Sequence, residues 1–247
     1  MFEMTRPPLS GRTFRGQRRV RLGDCSPGGR LRLDAVARYL QDVSDDDTRD
    51  AGLGQMTWVV RRTVVDVLRF PTYLEPLDLV TWCSAISPRW AERRVDVGGA
   101  FGPALSSATL WVHVDGSSLR PAVVSAEFRG VFEQAAGGRS VSSRLNLDGP
   151  PPELDLTDWP VRFVDFDVMD HMNNALAFVV VEEVLASRRE LRAPLRVAVE
   201  YRSPIDRDVE LRRGGVDGVD GYDGWLVDDH GRCSVAFRIT RPPADSR

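Results

Sequence analysis

The densest chemistry in this chain lies in residues 161–174, VRFVDFDVMDHMNN. Asp165, Asp167 and Asp170 are interleaved with apolar residues, and His171 and Asn173-Asn174 follow. An apolar run comes next, so the cluster sits at the entry to a helix. A carboxylate in such a place can orient and deprotonate a water or attack an activated carbonyl. The helix start adds unpaired N–H groups and a positive dipole end, which suit a developing oxyanion. Asn173 or Asn174 would cap the helix. The plainer reading makes the three aspartates turn and capping groups, and at this level both stay open.

Other groups are weaker candidates. Glu182 and Glu183 lie on the predicted buried helix and form a fallback base. Cys25, in GDCSPGG, would need His171 from the other half of the chain to become a nucleophile, and a lone cysteine is more often inert packing. His113 alternates with Trp111 and Asp115 on a strand and reads as structural, and His230 falls in a hairpin turn. Asp217, Asp220 and Asp223 each precede a glycine, but their period does not fit a calcium loop, so they read as a turn. Asp45-Asp46-Asp47 reads as a solvated helix end.

Two helices must position these groups. Leu33, Val36, Leu40 and Val43 fall on one helical face. A second helix is predicted over residues 174–192, apolar nearly all round at 177–181. Short strands precede the helices at 18–22 and 159–163. Further strands are predicted at 57–68, 77–85, 91–98, 107–115, 195–201, 209–213 and 233–240, rich in β-branched residues. One helix followed by a run of strands implies an α+β layer, a helix wrapped by an antiparallel sheet.

The pattern occurs twice. Val20-Arg21, Asp24 and Gln41-Asp42 meet Val161-Arg162, Asp165 and Glu182-Glu183 at an offset of 141. Arg69 and Pro71 meet Arg202 and Pro204 at 133. Matches kept in order argue for a duplicated unit. The expected division is a first domain at residues 1–134, a Pro- and Ser-rich crossing segment at 135–158, and a second domain at 159–247.

Composition limits the function. The chain has 247 residues, 42% hydrophobic and 28% charged, which is globular. A net charge of −3 argues against nucleic-acid binding by bulk charge. Three scattered cysteines, with no C-x-x-C, argue against a disulfide framework or zinc site and fit a reducing cytoplasm. No apolar run approaches a membrane span, and residues 1–17 lack the apolar core of a secretory signal.

Residues 161–174 resemble the D-x-D-x-N-x-H-x-N-N segment of the acyl-acyl-carrier-protein thioesterases. Other segments resemble that family in order: Trp58-Val59-Val60-Arg61-Arg62, Arg69-Phe70-Pro71, Thr81-Trp82, residues 111–121 (WVHVDGSSLRP) and Glu200-Tyr201-Arg202. The resemblance implies a tandem (double) hotdog fold, hydrolysis of a fatty acyl thioester, and no metal or redox cofactor. It places the site carboxylate on Asp167 and the histidine on His171, with Asn173 beside them. The family's Asn falls on Met169 and its Glu on Pro204. Val36, Leu40, Val43, Trp58 and Trp82 would wall the acyl chain. The implied partner is an acyl carrier protein or coenzyme A thioester, and a homodimer is allowed. An acidic carrier needs a local basic patch, for which Arg12, Arg15, Arg18, Arg19 and Arg21 are candidates. A non-catalytic acyl-binding protein and a hotdog hydratase or dehydratase are the competing readings.

Overall fold

The apolar stripe of Leu33, Val36, Leu40 and Val43 builds helix α1 (Leu33–Asp50) and buries it in the main core. The computed structural model describes residues 4–218 and 221–241. Around α1 run β1 (Thr13–Arg19), β2 (Thr57–Val67), β3 (Pro76–Ile86), β4 (Trp90–Gly99) and β5 (Gly102–Val114). Around α3 (Ala177–Ser187) run β6 (Thr157–Trp159), β7 (Leu195–Tyr201), β8 (Leu211–Gly218), β9 (Gly221–Asp228) and β10 (Cys233–Thr240). The ten strands of the described residues join one antiparallel sheet in the order β1-β3-β4-β5-β2-β7-β10-β9-β8-β6.

That order reads the same from both edges once β6–β10 are matched to β1–β5. The repeat extends to the loops. A short 3-10 turn at Leu22–Asp24 recurs at Phe163–Asp165, each closed by its aspartate accepting from a backbone N–H three residues earlier. The bridge Cys25 to Leu31 recurs as Phe166 to Met172. Gly29 and Asp170 both take positive φ, at 79° and 61°. All these matches keep the offset of 141.

The halves join where β2 pairs with β7, which covers two edges that would otherwise stand open. Asp66 and Arg196 face each other in that register and form a buried ion pair at 2.5 and 2.6 Å. The helices join too. Glu182 of α3, 7% exposed, accepts from Arg30 at 3.0 and 2.7 Å and from the Leu33 N–H at 2.6 Å. One carboxylate therefore caps the start of α1 and pairs with the loop before it.

Several local expectations change. The strands predicted at 18–22 and 159–163 give way to β1, β6 and the two aspartate-closed turns. The second helix is shorter than 174–192. Asn174–Leu176 is a 3-10 turn, and Arg188 leaves the helix to pair with Asp217 at 2.5 Å and lie over Tyr222. Helix α2 (Ala126–Ala136) was not expected. Ser125 accepts from the Phe128 N–H at 3.2 Å, Gly137 closes the far end in the left-handed region, and Phe128 and Phe132 are buried.

Segment 138–156 crosses the sheet face opposite the helices. Glu200, 0% exposed, alternates with core residues Val197 and Val199 and accepts from the N–H groups of Asn146 and Leu147 at 2.6 and 3.1 Å. Trp90 and Trp225 donate to the carbonyls of Val141 and Asp148. Asp217 and Asp223 belong to the β8–β9 hairpin, where Asp223 pairs with Arg238; Asp220 lies outside the described residues. Asp47 is no solvated helix end. It is 0% exposed and holds Arg12 at 2.6 Å and Arg93.

Candidate active site

The loop from Asp165 to Asn173 is a closed turn built by its own aspartates. Asp165 is buried and fully engaged by Arg162, through the backbone at 2.8 Å and the guanidinium at 3.2 and 2.8 Å. Asp170 holds the positive-φ corner, a conformation that Asp tolerates, and pairs with Arg207. Both take the capping and turn roles of the plainer reading.

Asp167 differs. One of its oxygens accepts the Met169 N–H at 2.9 Å, and the other has no partner among the described residues. Its backbone N–H donates to the His171 carbonyl at 3.0 Å, so backbone and carboxylate orientation are set together. His171 places Nε2 3.5 Å from Asp206 Oδ1. Asn173 accepts from the Ala175 N–H at 2.9 Å and caps the turn into α3, so its carbonyl oxygen is spent on structure. The loop after β7 lies alongside, with the Met172 N–H donating to the Ile205 carbonyl at 2.9 Å. Pro204 is thus beside the loop and brings no polar side chain.

The loop meets a cavity of about 270 Å³ that opens in the first half of the chain. Met169, 38% exposed, stands at its rim. Trp58, Trp111 and Phe128 form an apolar wall, and Gln41, Ser44 and Thr48 a polar one. Gln41 and Trp111 also line a narrow gap near the start of α3, with Leu40, Asn174 and Tyr201. Tyr201 donates to the Asn174 carbonyl at 2.9 Å, and burial pushes its phenol up, so it remains a donor.

Among the expected wall residues, Trp58 lines the cavity and Leu40 the narrow gap. Val36 and Val43 pack in the main core instead, because the apolar stripe of α1 faces the sheet and the neighbouring polar stripe faces the cavity. Trp82 is 1% exposed and lines neither space. Cys25 donates to the Arg21 carbonyl at 3.3 Å, and burial followed by the nearby Asp24 raises its thiol pKa, against a nucleophile's role. Glu182 is consumed by Arg30 and Leu33, and Glu183 is exposed. His113 packs against Trp58 with the rings tilted by 51° and meets the Val123 carbonyl at 3.0 Å. In the candidate basic patch, Arg12 pairs with Asp47 and Asp50, and Arg18 with Asp42 and Asp46.

Gln41 escaped the sequence reading as a functional residue, although the repeat points to it. At the offset of 141, His171 corresponds to Arg30 and Gln41 to Glu182. Arg30 and Glu182 touch, closing one end of the internal symmetry with an ion pair. At the other end, Gln41 lines both cavities, and its side-chain amide has no hydrogen bond among the described residues.

Comparison with known proteins places the chain in a family and a fold. The profile described as the acyl-ACP thioesterase N-terminal domain matches residues 11–132, and that of the C-terminal domain matches residues 151–217. An uncharacterized protein of Mycobacterium tuberculosis is 32% identical over 200 residues, covering 80% of each chain. The chloroplastic dodecanoyl-[acyl-carrier-protein] hydrolase of Umbellularia californica is 25% identical over 245 residues, covering 90% of this chain and 64% of that one. Among solved structures, a 12:0-ACP thioesterase from the same plant superposes with a TM-score of 0.77 at 24% identity, over 94% of this chain and 98% of that one. An acyl-ACP thioesterase from Bacteroides thetaiotaomicron gives 0.75 at 14% identity, over 92% and 97%. These two likenesses carry the fold, a tandem hotdog.

Proposed function

Because the chain belongs to the acyl-ACP thioesterase family, we propose that Asp167, which holds the N–H of the rim residue Met169, is the carboxylate with which it works. The protein is a thiolester hydrolase that acts on fatty acyl thioesters of acyl carrier protein. The observation that supports the site is the junction at Met169. The residue whose N–H is held by Asp167 is also the one that lines the cavity.

In this reading the acyl chain enters the cavity and leaves its thioester carbonyl beside Asp167. The carboxylate takes a proton from a water as that water attacks the carbonyl carbon. The tetrahedral oxyanion collapses, the C–S bond breaks, and the proton passes to the departing thiolate. His171 donates to the carbonyl oxygen or holds the water. Gln41 supplies an amide donor from the opposite side, in place of the amide lost at Met169. Asn173 stays a cap. Coenzyme A is the second carrier to test, since the thioester is chemically the same.

The test is release of free thiol from saturated acyl thioesters of graded length, on acyl carrier protein and on coenzyme A. Hydrolysis on neither carrier would leave the acyl-binding reading, which Met169 favours. Met169→Asn restores the family's amide at the rim and should raise kcat about tenfold, less than the roughly 100-fold of a sole oxyanion donor because Gln41 already supplies an amide. An unchanged or lower kcat in folded Met169→Asn would show that another group fills that role.

A further inference from the structure

The cavity is not built for a plain hydrocarbon throughout. Arg93 of β4 lines it and is only 5% exposed. Its Nη2 pairs with Asp47, while Nε and Nη1 have no hydrogen-bond partner among the described residues. The guanidinium lies over the Phe132 ring at 4.9 Å, which occupies a face and leaves the in-plane N–H edges unserved. Trp111, on the same cavity, also has a buried Nε1 without a partner among the described residues. Buried donors of this kind are rare and costly.

We propose that the cavity takes acyl chains that carry a neutral oxygen, a hydroxyl or a ketone, beyond the thioester carbon, with Arg93 as its donor. An alkyl chain beside Arg93 would leave both buried N–H groups unserved. A hydroxyl or ketone brings the missing lone pairs. The charge balance selects a neutral group. Arg12 and Arg93 stand against Asp47 and Asp50, so the cluster is already even. A carboxylate on the chain would bury a charge with no counterpart. Trp111, which borders both the cavity and the narrow gap, offers a second donor nearer the loop.

The proposal rests on the thioesterase reading for the entry of the chain, so its test includes a measurement that does not need turnover. The parent protein is given acyl carrier protein thioesters of equal length, plain or with a hydroxyl or ketone at successive carbons. At the matching carbon, kcat/KM should exceed that of the plain chain about tenfold to a hundredfold, the size of a hydrogen bond from a charged donor. Arg93→Met should collapse that ratio, and Trp111→Phe should lower it for oxygens nearer the thioester. Calorimetry with the free hydroxy and plain acids repeats the comparison without hydrolysis. If plain chains are hydrolysed and bound at least as well as every oxygenated one, the proposal is overturned and the thioesterase reading stands. If nothing is hydrolysed but a hydroxy acid binds tenfold tighter than its plain analogue, the proposal stands and the thioesterase reading falls. Should Arg93→Met not fold, the parent's ratios and Trp111→Phe decide alone.

Discussion

Asp167→Asn should lower turnover of an acyl thioester about 100-fold or more, the usual scale of a lost acid–base group, with a melting temperature close to the parent's. The carboxylate holds one N–H, that of Met169, and an asparagine carbonyl can keep that bond. What disappears is the basic oxygen that has no protein partner among the described residues. The neighbouring aspartates provide the contrast. Asp165→Asn weakens a buried carboxylate engaged three times by Arg162, so it should cost stability before activity. Asp170→Asn keeps the left-handed corner and loses a surface pair with Arg207, worth about 0–1 kcal/mol. Stopped assays on the three variants, with thermal melts, separate these roles. Parent-like turnover in folded Asp167→Asn would overturn its assignment.

Glu182→Ala should be among the most destabilising single changes in the chain, and for a reason unrelated to chemistry. It removes a bidentate partner from Arg30 and the acceptor at the Leu33 N–H, both across the helix junction. Breaking a buried ion pair costs about 3–5 kcal/mol. Arg30 is 27% exposed and can turn toward water, so about 2–3 kcal/mol is expected here. In a domain of this size that lowers the melting temperature by roughly 5–10 °C. Glu182→Gln keeps an acceptor for Leu33 and should lose less, and Glu183→Ala, at an exposed position, should stay within about 0.5 kcal/mol. If Glu182→Gln instead melted like the parent and lost turnover, the carboxylate on α3 would be the base after all.

Local signals made much of this molecule legible. α1 followed from apolar spacing over about three turns, and β2, β7 and β10 from runs of β-branched residues. The repeat was readable because its matches kept their order, and its offset of 141 holds in the aspartate-closed turns and bridges. Helix α2 was legible in principle, through the Ser125 cap, the spacing of Phe128 and Phe132, and Gly137. It was obscured by the polar composition that begins at its end.

The α+β repeat, the loop that carries Asp167 and His171, and the family could all be read along the chain, since each rests on short segments whose order is kept. What the charged residues do was set by folding. Asp47 reads as solvated among three aspartates until Arg93, 46 residues away, is brought against it. Glu182 reads as a spare base until Arg30, 152 residues away, claims it. The cavity was equally hidden, because its walls come from α1, α2, β2, β4, β5 and the Asp167 loop. Periodicity shows that a helix has an apolar and a polar stripe, but which stripe borders empty space depends on elements far along the chain. A charge is exposed or buried according to the partner that folding supplies, and that partner has no local signature.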